Sequence, residues 1–163
     1  MACRGVHFAI TEEQAEALLA ARGDEELMNL VESIEEAWDA ADLAESDKAW
    51  DAMHRCLTDG ALGRGNGTYP LSHCVLGPRQ LHEVDDYIVS LVLPDEVRDV
   101  AKALRIVTPE WFGNRYSTVL PRDYAPEYGQ EDLEYTWSHL EDVKRLFEKA
   151  GEAGRAIVFT VDQ

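Results

Sequence analysis

The sequence predicts an α+β fold: a single compact domain whose small mixed sheet includes the N- and C-terminal strands and is packed with about five helices. Three observations carry this expectation. Val6, Phe8 and Ile10 alternate with His7 and Ala9 near the start, the period-2 mark of a strand. The run Ala156-Ile157-Val158-Phe159-Thr160-Val161 near the end is apolar on both faces, as a strand is inside a sheet covered on both sides, which sets the two chain ends side by side. Several segments between them repeat apolar residues three and four apart. A chain of 163 residues suits one core, since domains most often run to roughly 100–150 residues.

The first strand spans Arg4 to Ile10, and Thr11 follows as a helix cap. Gln14 completes a capping box, Ala15, Leu18 and Leu19 form the stripe, and Gly23 stops the helix. Asp24 opens a second helix whose positions Leu27, Leu30, Val31, Ile34, Ala37, Trp38 and Ala41 keep the helical rhythm, with Glu32, Glu35, Glu36 and Asp39 on the other face. Ser46 or Asp47 restarts a helix through Trp50, Met53, His54 and Leu57, so three helices precede the second strand.

Glycines at 60, 63, 65 and 67 make residues 60–68 a loop. Pro70 to Pro78 reads as a short helical turn, Tyr87 to Leu93 as a buried strand, and Pro94-Asp95 as the start of a helix striped by Val97, Val100, Ala101 and Leu104. Thr108-Pro109 begins one more turn through Trp111 and Phe112. From Tyr116 to Gln130 there is no period, and the stretch reads as an ordered surface loop. The last helix carries Leu133, Trp137, Leu140, Val143, Leu146 or Phe147, and Ala150 on one face before Gly151 to Gly154 release it.

With 32 acidic against 15 basic residues, the formal net charge is −17. Such a surface repels nucleic acid and anionic membranes, because affinity for both comes mainly from Lys and Arg, and it leaves a basic protein as the partner class that charge favours. Cys3, Cys56 and Cys74 are odd in number and scattered, which suits a reducing, cytoplasmic compartment. No run approaches the roughly 20 apolar residues of a membrane span.

The densest chemistry lies in Asp47-Lys48-Ala49-Trp50-Asp51-Ala52-Met53-His54. On a helix, Asp47, Trp50 or Asp51, and His54 adjoin, and a carboxylate near a histidine suits acid–base work. The structural alternative makes Asp47 a cap, pairs Asp51 with Arg55, and buries Trp50 and Met53. Ser72 and His73 add a second polar pair. His54, Cys56, His73 and Cys74 fall into no common zinc spacing, so neither a metal nor a cofactor is expected. Tyr124, Tyr128 and Tyr135 are amphipathic rings of the kind enriched at binding surfaces, and equally of the kind that pins a loop to a core.

The stretch Asp47 to His54, with Leu57-Thr58-Asp59-Gly60, resembles the signature LDKAWDALHFLLTG of the YfbM-like family of unknown function. Pro70-Leu71-Ser72 with Cys74-Val75-Leu76-Gly77 is similar to its second signature, and both chain ends also match. The resemblance departs between Trp111 and Tyr128, where this chain has an aromatic, proline-bearing insert. It implies a compact α/β fold of small cytoplasmic bacterial proteins and no particular reaction.

Two functions follow as expectations. The first is a protein-binding or immunity-type inhibitor module that uses the acidic surface and the tyrosines Tyr124, Tyr128 and Tyr135. The second is a small-ligand-binding protein or hydrolase-like enzyme whose pocket draws on Asp47, Trp50, Asp51, His54, Ser72 and His73. No oligomeric state follows from these residues.

Overall fold

A computed structural model describes residues 3–77, 79–82, 86–121, 124 and 129–162. The chain runs β1 (Gly5–Ile10), α1 (Glu12–Ala20), α2 (Asp24–Ala37), a 3-10 turn (Ala40–Asp42), β2 (Leu43–Asp47) and α3 (Trp50–Leu57). A second 3-10 turn (Leu71–His73) precedes β3 (Arg79–His82), β4 (Tyr87–Val92), α4 (Pro94–Leu104), α5 (Pro109–Val119), α6 (Gly129–Ala153) and β5 (Ala156–Asp162).

The strand order is β2-β1-β5-β4-β3, and each neighbouring pair is antiparallel. The sheet is therefore antiparallel rather than mixed. Helices α1 and α2 carry the chain away and back, so β2 starts beside the end of β1, with Phe8 opposite Leu43. In the same way β5 starts beside the end of β4, with Val92 opposite Ile157. The two chain ends pair in the middle of the sheet from Gly5–Val161 to Ile10–Ala156.

Both faces are covered, which is why β5 reads apolar throughout. On one face Val6, Phe8, Ile10, Val89, Leu91 and Val158 meet Ala15 and Leu18 of α1 and Leu27, Val31 and Ile34 of α2. On the other, Ile88, Val92, Ile157, Phe159 and Val161 meet Trp50 and Met53 of α3, Val97 and Val100 of α4, Phe112 of α5, and Leu140, Val143 and Phe147 of α6. Each fully buried side chain of this size contributes roughly 1.5–3 kcal/mol. The capping box forms as expected: Gln14 N donates to Thr11 Oγ1 at 3.1 Å, and Thr11 N donates to Gln14 Oε1 at 2.9 Å.

Five elements depart from the sequence reading. The second helix stops at Ala37, and Leu43–Asp47 is an edge strand rather than the approach to a helix. Its two buried residues, Ala44 and Ser46, are small and leave no apolar stripe. Helix α3 then begins at Trp50, not at Ser46 or Asp47. β3 was also unforeseen, being four residues of an edge with one buried side chain, His82. Helix α5 is eleven residues rather than one turn, with Phe112 its single buried residue.

Close approach fixes Gly5. A Cβ there would stand 2.6 Å from Ser46 Oγ and 2.8 Å from the Phe159 ring, so the crossing of β1 and β2 over Phe159 requires glycine.

Candidate functional site

Trp50 is 5% exposed and lies in the core beside Phe159, with its ring nitrogen donating to the Cys3 carbonyl at 3.3 Å. His54 is 1% exposed. Its Nε2 meets Asn66 Oδ1 at 3.0 Å, while Asn66 Nδ2 donates to Thr58 Oγ1 and to the Ala61 carbonyl at 3.1 and 2.9 Å. Those acceptors fix the amide orientation, so the His54 nitrogen is the donor. His54 thus clamps the glycine loop onto α3. Burial lowers its pKa, against the opposing pull of Asn66, Gly63, Asp51 and Asp59.

Asp51 pairs with Arg55 at 2.5 Å, one helical turn on, as the structural alternative anticipated. Ser72 is buried, and its hydroxyl lies 3.1 Å from His73 Nδ1. The His73 ring stands edge-on to Tyr69 at 4.7 Å, and burial lowers its pKa. Among the described residues no hydrogen bond or ring contact joins His73 to His54 or Trp50. Cys56 and Cys74 are buried thiols, each pushed up to about 12 by burial.

Of the tyrosines, Tyr124 packs edge-on against Tyr116, whose hydroxyl donates to Asp132. Tyr128 lies outside the described residues. Tyr135 donates from its hydroxyl to Asp47 Oδ2 at 2.5 Å. Asp47 is no helix cap: it ends β2 with φ at 42°, a left-handed conformation uncommon outside glycine. Arg4 Nε stands 3.7 Å from its other oxygen.

The Asp47–Tyr135 contact adjoins a feature that the sequence did not announce. Between β2 and α6 runs an open groove of about 460 Å³, lined among others by Leu43, Ala44 and Glu45 and by His139, Arg145 and Lys149. His139 stacks edge-on to Tyr135 at 4.7 Å and donates from Nδ1 to the Glu45 carbonyl at 2.8 Å. Lys149 donates to the Ala41 carbonyl and reaches Asp42 Oδ1 at 3.3 Å. Burial would raise the Asp42 pKa, but Arg155 and Lys149 outweigh it and hold the carboxyl below its ordinary value. The one sequence-level signal was His139 one turn after Tyr135.

The other prominent surface is the outer face of α1 and α2. Residues 11–39 carry ten acidic residues and one basic one, Arg22. All ten except Glu35 are exposed; Glu35 accepts hydrogen bonds from the Tyr87 hydroxyl and from Thr160 Oγ1. Two apolar side chains stand among them, Leu19 at 50% exposure and Trp38 at 46%. Trp38 closes α2 with φ at 33° and sets its ring edge-on to Phe8 at 5.9 Å.

Residues 1–160 match the family described as Domain of unknown function (DUF1877). The chain belongs to that family. Among solved structures it is similar to the crystal structure of a protein of unknown function, YfbM from Escherichia coli, with a TM-score of 0.70 and 18% identity over 99% of each chain. At that identity the likeness establishes the shared fold, and it bears out the YfbM-like resemblance read from the two signatures. No curated protein matches the sequence. The first signature of this DUF1877 chain spans the end of β2, α3 and the turn after it, and the second forms the 3-10 turn and the residues from Cys74 to Gly77. Most of their residues are core.

Proposed function

We propose that this protein is a binding module that takes a basic protein partner on the acidic face of α1 and α2, in the manner of a masking or immunity-type inhibitor. The observation that carries the reading is the concentration of charge: residues 11–39 expose nine carboxylates against a single arginine. Carboxylates gathered on one face make a directed potential, which steers a basic partner to that face and speeds encounter. Leu19 and Trp38 supply apolar contact inside the same field, and an exposed tryptophan is a typical interface anchor. The cysteine usage fits a cytoplasmic setting.

The alternative, a ligand or hydrolase pocket at Trp50, His54 and His73, has the burial of Trp50 and His54 against it, since neither offers surface to a ligand.

Affinity capture from a host extract tests the proposal. Wild type is compared with a triple Glu25→Gln, Glu32→Gln, Glu36→Gln variant at low and high salt. These three side chains are exposed, whereas Glu35 is tied to Tyr87 and Thr160. The expected result is a basic protein retained by wild type at low salt, released as screening shortens to a few ångströms, and lost in the variant. Equal retention by wild type and variant overturns the reading.

A further inference from the structure

The sheet order leaves β2 as an edge strand. An edge presents N–H and C=O groups at every second residue, and in most proteins these are paired or shielded. On β2 they belong to Leu43 and Glu45. The Glu45 carbonyl points away from β1, since it accepts from His139 of α6 at 2.8 Å. Nearby, the Ala41 carbonyl is met in the same way by the Lys149 amine. Both donors sit at the ends of side chains, so each can swing aside without moving a helix or a strand.

The open groove of about 460 Å³ runs alongside these two contacts. Ala44 and Leu146, each 4% exposed, form only its floor, and the exposed Glu45 stands at its rim. Among the described residues the ion pairs of this region join Arg4 to Asp47, Arg145 to Asp142, and Lys149 and Arg155 to Asp42, and none of them includes the exposed Glu45.

We propose that the β2 edge is a strand-addition site for an extended segment of a protein partner, one with a basic side chain opposite Glu45 and a small apolar one over Ala44 and Leu146. The incoming N–H replaces His139 at the Glu45 carbonyl, and the incoming carbonyl accepts the Glu45 N–H. Main-chain hydrogen bonds supply affinity, and alternate side chains supply specificity. A cation directly across from Glu45 adds a favourable cross-strand pair. A second copy of this chain is the poorer occupant, because β2 paired antiparallel with β2 about Glu45 sets the two Glu45 carboxylates against each other. The site stands on backbone polarity and does not depend on the acidic face of α1 and α2.

The test selects short random peptides displayed on phage against the intact protein and titrates the selected peptide into the isotope-labelled chain. The expected peptide alternates basic and small apolar residues. On binding, the amide resonances of Leu43 and Glu45 shift, and N-methylation of the peptide nitrogens that face β2 weakens binding at least about tenfold. His139→Ala removes the competing donor and tightens binding about two- to tenfold. The triple Glu→Gln variant of α2 binds as wild type does, which separates this site from the acidic face. The proposal is overturned if no peptide is selected above background, if N-methylation has no effect, if the shifts map to α1 and α2, or if the chain buries β2 in a dimer of itself.

Discussion

Tyr135 of α6 donates its hydroxyl to Asp47 at 2.5 Å, tying the longest helix to the last residue of the edge strand beside the groove. Hydrogen bonds to charged acceptors contribute roughly 1.5–3 kcal/mol when buried, and less when both side chains are about a third exposed. Tyr135→Phe should therefore cost about 1 kcal/mol in chemical denaturation. Asp47→Ala loses the same bond and keeps the left-handed strain, whereas Asp47→Gly loses the bond and relieves the strain. The glycine variant should be more stable than the alanine variant by about 1 kcal/mol. Equal stability of the two would mean that β2 ends without strain.

His7 gives the protein a pH dependence. Its ring is fully buried between Phe147 and Phe159, with Nε2 donating to the Cys74 carbonyl at 2.8 Å. Burial lowers its pKa to about 4, and the carbonyl opposes that only in part. The folded chain holds the ring neutral while the unfolded chain takes a proton below the ordinary value near 6.5. Stability should fall as the pH drops from about 6.5 towards 4, by about 3 kcal/mol from this residue. Denaturation midpoints of wild type and His7→Gln measured across that range provide the check. The difference between the two curves should shrink as the pH falls, and a constant difference would sink the assignment.

Trp50 fills the core between α3 and the sheet. Trp50→Ala should cost about 3–5 kcal/mol. Loss of less than about 1 kcal/mol in a urea titration would place the ring at the surface and revive the ligand-pocket alternative.

Asn66 is the acceptor for His54 and the hub of the glycine loop. Asn66→Ala strands the buried imidazole donor and frees the loop, at a cost of about 1–3 kcal/mol. Hydrogen exchange should accelerate in residues 60–68 while the sheet stays protected. Unchanged exchange in that loop would show that the clamp is not what holds it.

Patterns within single segments were legible in the residues. The unbroken apolar run of β5 and the stripes of α2, α4 and α6 record burial along each segment's own length, the Thr11–Gln14 box records a local cap, and the alternation in β1 marks a strand that the fold buries on both faces. The burial of Trp50, Met53 and His54 followed from the same rhythm. Other features depend on partners far away in the chain. β2 is a strand because its backbone pairs with β1, and its Leu-Ala-Glu-Ser-Asp sequence has no pattern that says so. β3 pairs with β4 in the same unannounced way. The helices return the chain beside the ends of β1 and β4, which sets β2 and β5 antiparallel to those strands. The groove exists only because α6 crosses beside β2 and brings residues 135–149 against residues 40–47. Side-chain periodicity reports how a segment is buried, whereas backbone hydrogen bonding between strands and the meeting of distant surfaces depend on the packing of the whole chain.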